Sequence, residues 1–222
     1  MRTVIAGGHG KIALKLERLL AARGERPAGI IRRPEQAQDL TDAGAEPLLL
    51  DLEAATAPQL AELLADADAV VFAAGAGPGS GAARKNTVDR DAAVLLADAA
   101  ELAGVRRYLI ISSMGADADA HYPADETFET YLRAKGAADD AVRARTTLDW
   151  TVLRPGQLTD GPGTGLVRLA PSVGRGTVDR ADVAAVLAAL LHEPGTAGLT
   201  LELVAGNATV EEAVAAAAGH DG

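Results

Sequence analysis

Tyr131 and Lys135 stand four positions apart in the stretch Tyr131-Leu-Arg-Ala-Lys135, so a helix there puts both side chains on one face. A lysine ammonium stabilises a phenolate beside it, and a phenol so placed gives or takes a proton. Two serines, Ser112 and Ser113, follow the apolar run Tyr108 to Ile111, which reads as the end of a strand. A serine hydroxyl facing the tyrosine can hold the oxygen of a carbonyl or carbinol while that proton moves. Tyr-x-x-x-Lys alone occurs on many surface helices. It gains meaning only if another part of the chain supplies a hydride carrier.

That part lies near the start, in Thr3-Val-Ile-Ala-Gly-Gly-His-Gly-Lys-Ile-Ala. An apolar strand runs into Gly7, Gly8 and Gly10. From about Lys11 apolar residues then recur at Ile12, Leu16, Leu19 and Leu20, the spacing of a helix face. Strand, glycine turn and helix start cradle a pyrophosphate, because backbone must approach it closely and free N–H groups must point at it. Ala13 takes the place of a third glycine, where only a small residue is needed. The expected phosphate contacts are Gly7, Gly8, His9, Gly10, Lys11 and Ile12, and Lys135 is then expected to hold the nicotinamide ribose.

Strand two ends in Arg32-Arg33 where an NAD site would carry a carboxylate. Guanidinium binds a 2′-phosphate through paired charge-assisted bonds, so this pair favours NADP(H) over NAD(H). The alternative is two solvated arginines at a helix start. Asp51-Leu52, after strand three, is placed to meet the adenine, or Asp51 simply caps the turn that follows. Ala73, Ala74 and Gly75, after strand four, suit a close approach to the ribose.

The elements that must position these residues alternate along the chain. Periodicity predicts strands over about 3–6, 26–32, 46–50, 69–73, 108–112, 150–153 and 200–204. It predicts helices over about 11–22, 36–43, 58–65, 86–103, 127–144, 181–191 and 210–218. The strands read as continuous apolar runs, which predicts a parallel sheet buried on both faces, an α/β doubly wound fold of Rossmann type. A single NAD(P)-binding domain over residues 1–222 is expected, with substrate-side segments mainly about 156–178 and 199–222. The segment from Gln157 to Gly176 reads as loose. The glycine-rich stretches 75–81 and 161–165 are the expected mobile loops.

Composition narrows the class. A net charge of −10 argues against nucleic acid as a general partner. The absence of cysteine excludes thiolate chemistry and disulfides. His9, His121, His192 and His220 lack metal-ligand spacing, so no metal site is expected. No apolar run reaches membrane-spanning length and the first residues do not read as a signal peptide, so a cytoplasmic location is expected. Asp139-Asp140 and Glu211-Glu212 read as solvated helix faces.

Taken together, Val4 to Gly10, Arg32-Arg33, Asp51-Leu52, Val88-Asp-Arg-Asp91, Gly104 to Ser113, Tyr131 to Lys135, Leu148 to Gly156 and Arg180 to Val183 resemble an atypical short-chain dehydrogenase/reductase. Proteins of this kind are described as NAD(P)H-binding or NAD-dependent epimerase/dehydratase-like, and the resemblance covers nearly the whole chain. It implies that Tyr131 is the proton donor, Lys135 its helper and Ser113 the carbonyl-holding serine, with Ser112 behind it. It also implies that Pro155 and Gly156 pass the nicotinamide. Asp89 stands where the superfamily often carries an asparagine, which makes it a candidate partner for Lys135. Arg180 and Asp182 are expected to anchor a helix.

The leading expectation is an NADP(H)-dependent oxidoreductase acting on a small carbonyl or alcohol, as monomer or homodimer. The alternatives are an epimerase or dehydratase on the same fold, and a non-catalytic NADP(H)-binding redox sensor.

Overall fold

The computed structural model describes residues 1–75, 85–122 and 124–219 of the 222-residue chain. In chain order its principal elements begin with β1 (Arg2–Ala6), α1 (Lys11–Ala22), β2 (Arg26–Ile31), α2 (Ala37–Asp42), β3 (Glu46–Leu49), α3 (Ala57–Leu63) and β4 (Ala69–Phe72). Then come α4 (Ala92–Ala103), β5 (Arg107–Ile111), α5 (Glu126–Arg143), β6 (Asp149–Pro155), β7 (Gln157–Thr159), β8 (Leu166–Ala170) and β9 (Thr177–Asp179). The chain closes with α6 (Arg180–Leu190), β10 (Leu199–Ala205), β11 (Ala208–Thr209) and α7 (Val210–Ala218).

The main sheet has the order β11-β8-β10-β6-β5-β4-β1-β2-β3. From β3 to β10 every pairing is parallel, with Ala6 opposite Phe72 and Ile111 opposite Leu153, so these strands end at one edge. Successive residues of the central strands enter opposite cores, as the two-residue repeat of a strand requires. Ile5, Val71 and Leu109 pack with α1, α6 and α7. Val4, Val70, Tyr108 and Ile110 pack with α3, α4 and α5. Helices therefore cover both faces, and the chain has the Rossmann-type fold expected of it.

Three departures from the expected pattern have physical causes. β3 is the sheet edge, so its residues are largely exposed where a doubly buried strand was expected. The segment from Gln157 to Gly176 is not loose: β7 pairs with β9, and β8 runs antiparallel to β10 and carries β11. These short strands lacked a long apolar run because each pairs only a few residues. The helix expected from Asn86 becomes α-helical at Ala92, after a π-helical stretch over Lys85–Asp91. The stretch 76–81 and His220 lie outside the described residues.

The expected mobile turn at 161–165 is held by carboxylates. Asp179 accepts the Gly161 and Gly163 N–H groups at 3.1 and 3.2 Å. Asp182 accepts those of Thr164 and Gly165 at 3.0 and 2.8 Å. Arg180 pairs with Asp160 at 2.8 Å rather than with Asp182. The glycines give this turn its shape, and two acids at the start of α6 fix it.

The buried face of α1 carries Ala13, Leu16, Glu17 and Leu20 at three-to-four spacing. Glu17 is therefore a carboxyl on the core stripe, fully buried, and neither of its oxygens has a hydrogen-bond partner among the described residues. Burial pushes it up to about 8, against a smaller opposing pull from Arg18. Because the folded value is raised above that of the unfolded chain, folding favours the protonated acid. Stability is full below about pH 4.5 and falls as pH rises to about 8. Glu17→Gln removes this dependence. The stability of the variant relative to the parent should rise by about 1.4 kcal/mol per pH unit across that window and level off above it. Urea unfolding of both proteins at pH 5, 6.5 and 8.5 checks this; parallel pH profiles would refute it.

Candidate functional site

At the carboxyl edge of the sheet, β1 turns into α1 through Gly7, Gly8 and Gly10. Gly7 has φ +82°, and a Cβ there would lie 2.6 Å from the Ala74 Cα. A Cβ on Gly8 would lie 2.6 Å from the Gly29 Cα. No larger residue fits either place without moving backbone. The Gly10 N–H is used inside the turn, on the Gly7 carbonyl at 2.9 Å. Gly10 caps α1 without a side-chain hydrogen bond, and the first helical turn holds no acid. The opening N–H groups of α1, including those of Lys11 and Ile12, thus lack intrahelical acceptors and face no negative charge of their own turn.

A cleft of about 320 Å³ opens over this turn. Gly7, His9, Gly10, Arg32, Asp51, Leu52, Ala73, Ala74 and Gly75 all line it, so most of the expected dinucleotide contacts are brought to one place. Gln36, Glu53 and Val88 line it too and were not anticipated. Asp51 lines the cleft, and its carboxylate also accepts the Glu53 N–H at 3.0 Å, as the turn-capping alternative expected. Arg32 reaches Glu53 at 3.5 Å, and His9 meets Asp39 at 2.6 Å.

Of the contacts expected from the turn, α1 and the end of β2, four are not on the cleft wall. Gly8 lies beneath the turn against Gly29. Arg33 is exposed beside the short helical turn at Pro34–Gln36. Lys11 points to Asp160, at 2.8 Å, and Ile12 packs its side chain on the core. For Lys11 and Ile12 only the backbone N–H remains as a contact for phosphate.

The Tyr131–Lys135 face of α5 turns out to be a buried polar stripe. Lys135 is 4% exposed; its ammonium donates to the Ile111 carbonyl at 3.0 Å and meets Asp89 Oδ1 at 3.3 Å. It also stands 5.7 Å from the centre of the Phe72 ring. Asp89 sits in the π-helical stretch before α4, and a Cβ on Gly75 would lie 3.3 Å from its Oδ1. The ion pair therefore lies directly against the residue that ends the wall of the first cleft. Lys135 lines neither cleft. Tyr131, one helical turn earlier, is half-buried with its ring stacked on Phe128 at 6.1 Å.

One further turn along, Asp139 is fully buried, contrary to the solvated face expected of it. It accepts from Arg154 Nε and Nη2 at 2.9 and 2.8 Å and from the Ser112 hydroxyl at 2.8 Å. Burial raises its carboxyl above the usual range, with Arg154 and Ser112 pulling the other way. Ser112 is thereby engaged in a buried network behind Ser113, with its hydroxyl proton committed to Asp139. The signal for Asp139 was present: it is four residues after Lys135 and shares its face. Its neighbour Asp140 points to solvent and pairs with Arg143.

Ser113 opens instead on a second cleft of about 1030 Å³, shared with Pro155, Gly156 and Gln157 at the end of β6. Its hydroxyl reaches the Met114 carbonyl at 3.3 Å. The connector after β5 packs on α5 at Gly136, where a Cβ would lie 2.2 Å from the Asp117 carbonyl carbon. Phe128 and Leu132 bring α5 to the cleft wall. Among the described residues no group of three or more His, Cys, Asp or Glu could hold a metal ion, and no helix is long and apolar enough to cross a membrane.

A family model of NAD(P)H-binding proteins matches residues 7–194. The chain is 32% identical over 215 residues to YhfK of Bacillus subtilis, named an uncharacterised sugar epimerase, covering 96% of this chain and 99% of that one. A Saccharomyces cerevisiae protein is 34% identical over 222 residues, with 96% of both chains covered. Among solved structures, a candidate NAD-dependent epimerase/dehydratase of Bacillus halodurans has a TM-score of 0.89 at 34% identity, covering 97% of this chain and 99% of its own. The oxidoreductase ylbE of Lactococcus lactis has a TM-score of 0.85 at 25% identity, covering 100% and 99%.

The contrast between Asp139 and Asp140 gives a direct test of the buried stripe. Asp139→Ala strands the Arg154 guanidinium and the Ser112 hydroxyl, and should cost about 3 kcal/mol. Asp140→Ala removes an exposed pair and should stay within about 0.5 kcal/mol. Urea denaturation of the two variants beside the parent measures both; equal losses would contradict the assignment.

Proposed function

The chain belongs to the NAD(P)H-binding family, and we propose that within it this protein is an NADP(H)-dependent oxidoreductase acting on a small carbonyl or alcohol. The observation that carries the reading is the position of the buried Lys135–Asp89 pair. It lies against Gly75, which lines the first cleft, and its lysine stands on the helix that also bears Tyr131.

The glycine turn fits a dinucleotide because Gly7 and Gly8 let it pack closely on the backbone of Ala74 and Gly29, while α1 opens without a capping side chain or an acid in its first turn. Gly7, Gly10 and the open start of α1 would hold the pyrophosphate, Ala73 to Gly75 the ribose and Asp51-Leu52 the adenine. A nicotinamide dinucleotide bound there supplies or accepts hydride. Support for the 2′-phosphate comes from Arg32, which lines the cleft and meets Glu53 at a long 3.5 Å. A phosphate dianion competes for that guanidinium better than one carboxylate does.

The residues of the chain handle the oxygen and the proton. The Ser113 hydroxyl donates to the carbonyl oxygen and holds it in the second cleft. The Tyr131 hydroxyl gives that oxygen its proton in reduction and removes it in oxidation. Lys135 places an ammonium behind the tyrosine, and Asp89 offsets the cost of burying it. Asp139 and Arg154 fix Ser112 and so the end of β5 from which Ser113 projects.

Titration with NADPH and with NADH, followed by nicotinamide fluorescence, tests the proposal. NADPH should bind more tightly. Arg32→Ala should weaken NADPH by about tenfold and NADH by less than about twofold, with Arg33→Ala close to the parent. Tyr131→Phe should bind NADPH normally and lose about 10²- to 10⁴-fold in reduction across a carbonyl panel. Absence of binding by either nucleotide would sink the reading. Equal losses for both nucleotides in Arg32→Ala would remove the NADP preference.

A further inference from the structure

The chain has one Trp, three Tyr and two Phe, and three of these stand in a row beside the second cleft. Tyr122 meets Phe128 edge-on at 5.2 Å, and Phe128 stacks on Tyr131 at 6.1 Å. Tyr122 and Phe128 both line the cleft, and each is 38% exposed. A chain that fills its core with Ala, Val and Leu thus places half of its aromatic side chains where they help the fold least. Exposed rings of this kind bury further surface only when a ligand covers them.

The ionisable lining of the same cleft is equally uneven. Asp117 accepts the Asp119 N–H at 2.8 Å, Glu202 accepts the Val173 N–H at 2.9 Å, and His121 meets Glu129 at 3.3 Å. Arg175, which lines the cleft as well, has no hydrogen bond or ion pair among the described residues, and it is exposed. One uncommitted guanidinium, in a lining that also carries the carboxylates of Asp117 and Glu202, suits a singly charged anion better than a phosphate dianion.

We infer that the second cleft takes a planar apolar molecule carrying a carboxylate, its flat body against Tyr122 and Phe128 and its carboxylate on Arg175. This rests on the reductase reading for the reacting carbonyl, which Ser113 would hold at the inner end of the cleft. The cleft reading itself needs only the rings and the guanidinium.

The test is calorimetric titration of the full chain with 2-naphthoate, 2-naphthamide and 2-naphthyl phosphate, with NADPH binding measured by fluorescence on the same samples. Naphthoate should bind best. Arg175→Gln should weaken it by about tenfold and bring it level with the amide. Phe128→Ala should weaken all three by about fivefold. Tighter binding of the phosphate ester reassigns the cleft to phosphorylated compounds and overturns the proposal. So does an amide that binds as well as the acid, or a naphthoate affinity unmoved by Arg175→Gln. Loss of discrimination with NADPH binding intact overturns the cleft assignment alone. Discrimination without NADPH binding upholds it and removes the reductase reading.

Discussion

Two ion pairs lie between α5 and the sheet, and the geometry of the candidate site depends on both. Lys135 and Asp139 sit on the stripe of α5 that faces the core, where an apolar residue would ordinarily stand. Each charge is tolerable only because a partner from a different element meets it: Asp89 from the stretch before α4, Arg154 from β6. Removing one partner of a buried pair leaves the other charge stranded, at a cost of about 3–5 kcal/mol. The pairs therefore specify where α5 lies along the sheet, and with it the positions of Tyr131 and Ser113. A purely apolar stripe could bind α5 as tightly, but it would allow the helix to slide.

On the other side of the sheet switch the constraint is backbone against backbone. Gly8 and Gly29 touch at their Cα atoms, and Gly7 touches Ala74. These contacts draw β1, β2 and the end of β4 together under one turn, whose Gly7, His9 and Gly10 line the first cleft. Glu17 lies in the same contact: a Cβ on Gly29 would be 2.5 Å from its carboxyl oxygen. A carboxyl raised to about 8 presents the turn with a neutral group at ordinary pH. An ionised acid there would oppose any anion held by the turn above it.

What was legible in the sequence was local. The glycine turn, the strand ends and the helix carrying Tyr131 and Lys135 each show themselves within a short window, because close approach and helical spacing are properties of neighbours in the chain. Asp139 was misread for the opposite reason. Its burial follows from Arg154, which is fifteen residues away, and from Ser112, which is twenty-seven residues away. The strands β7, β8 and β9 escaped likewise, since their partners are supplied by distant segments and their apolar runs are short. Arg33 was grouped with Arg32 by adjacency, whereas successive residues leaving a strand point to opposite sides, and only Arg32 reaches the cleft.

The substrate-side segment shows how a loop rich in glycine becomes part of a site. Asp179 caps the turn at Gly161 and Gly163 and also accepts from Thr159, and these bonds hold its carboxyl below the usual range. Asp160, next to that turn, is held low mainly by Lys11, with Arg180 adding to the effect. Lys11 opens α1 after the glycine turn, so the Lys11–Asp160–Arg180 cluster ties that turn to the segment between β7 and α6. Its members are largely exposed, and such pairs contribute little to stability. Their consequence is positional: they bridge elements that no strand pairing joins.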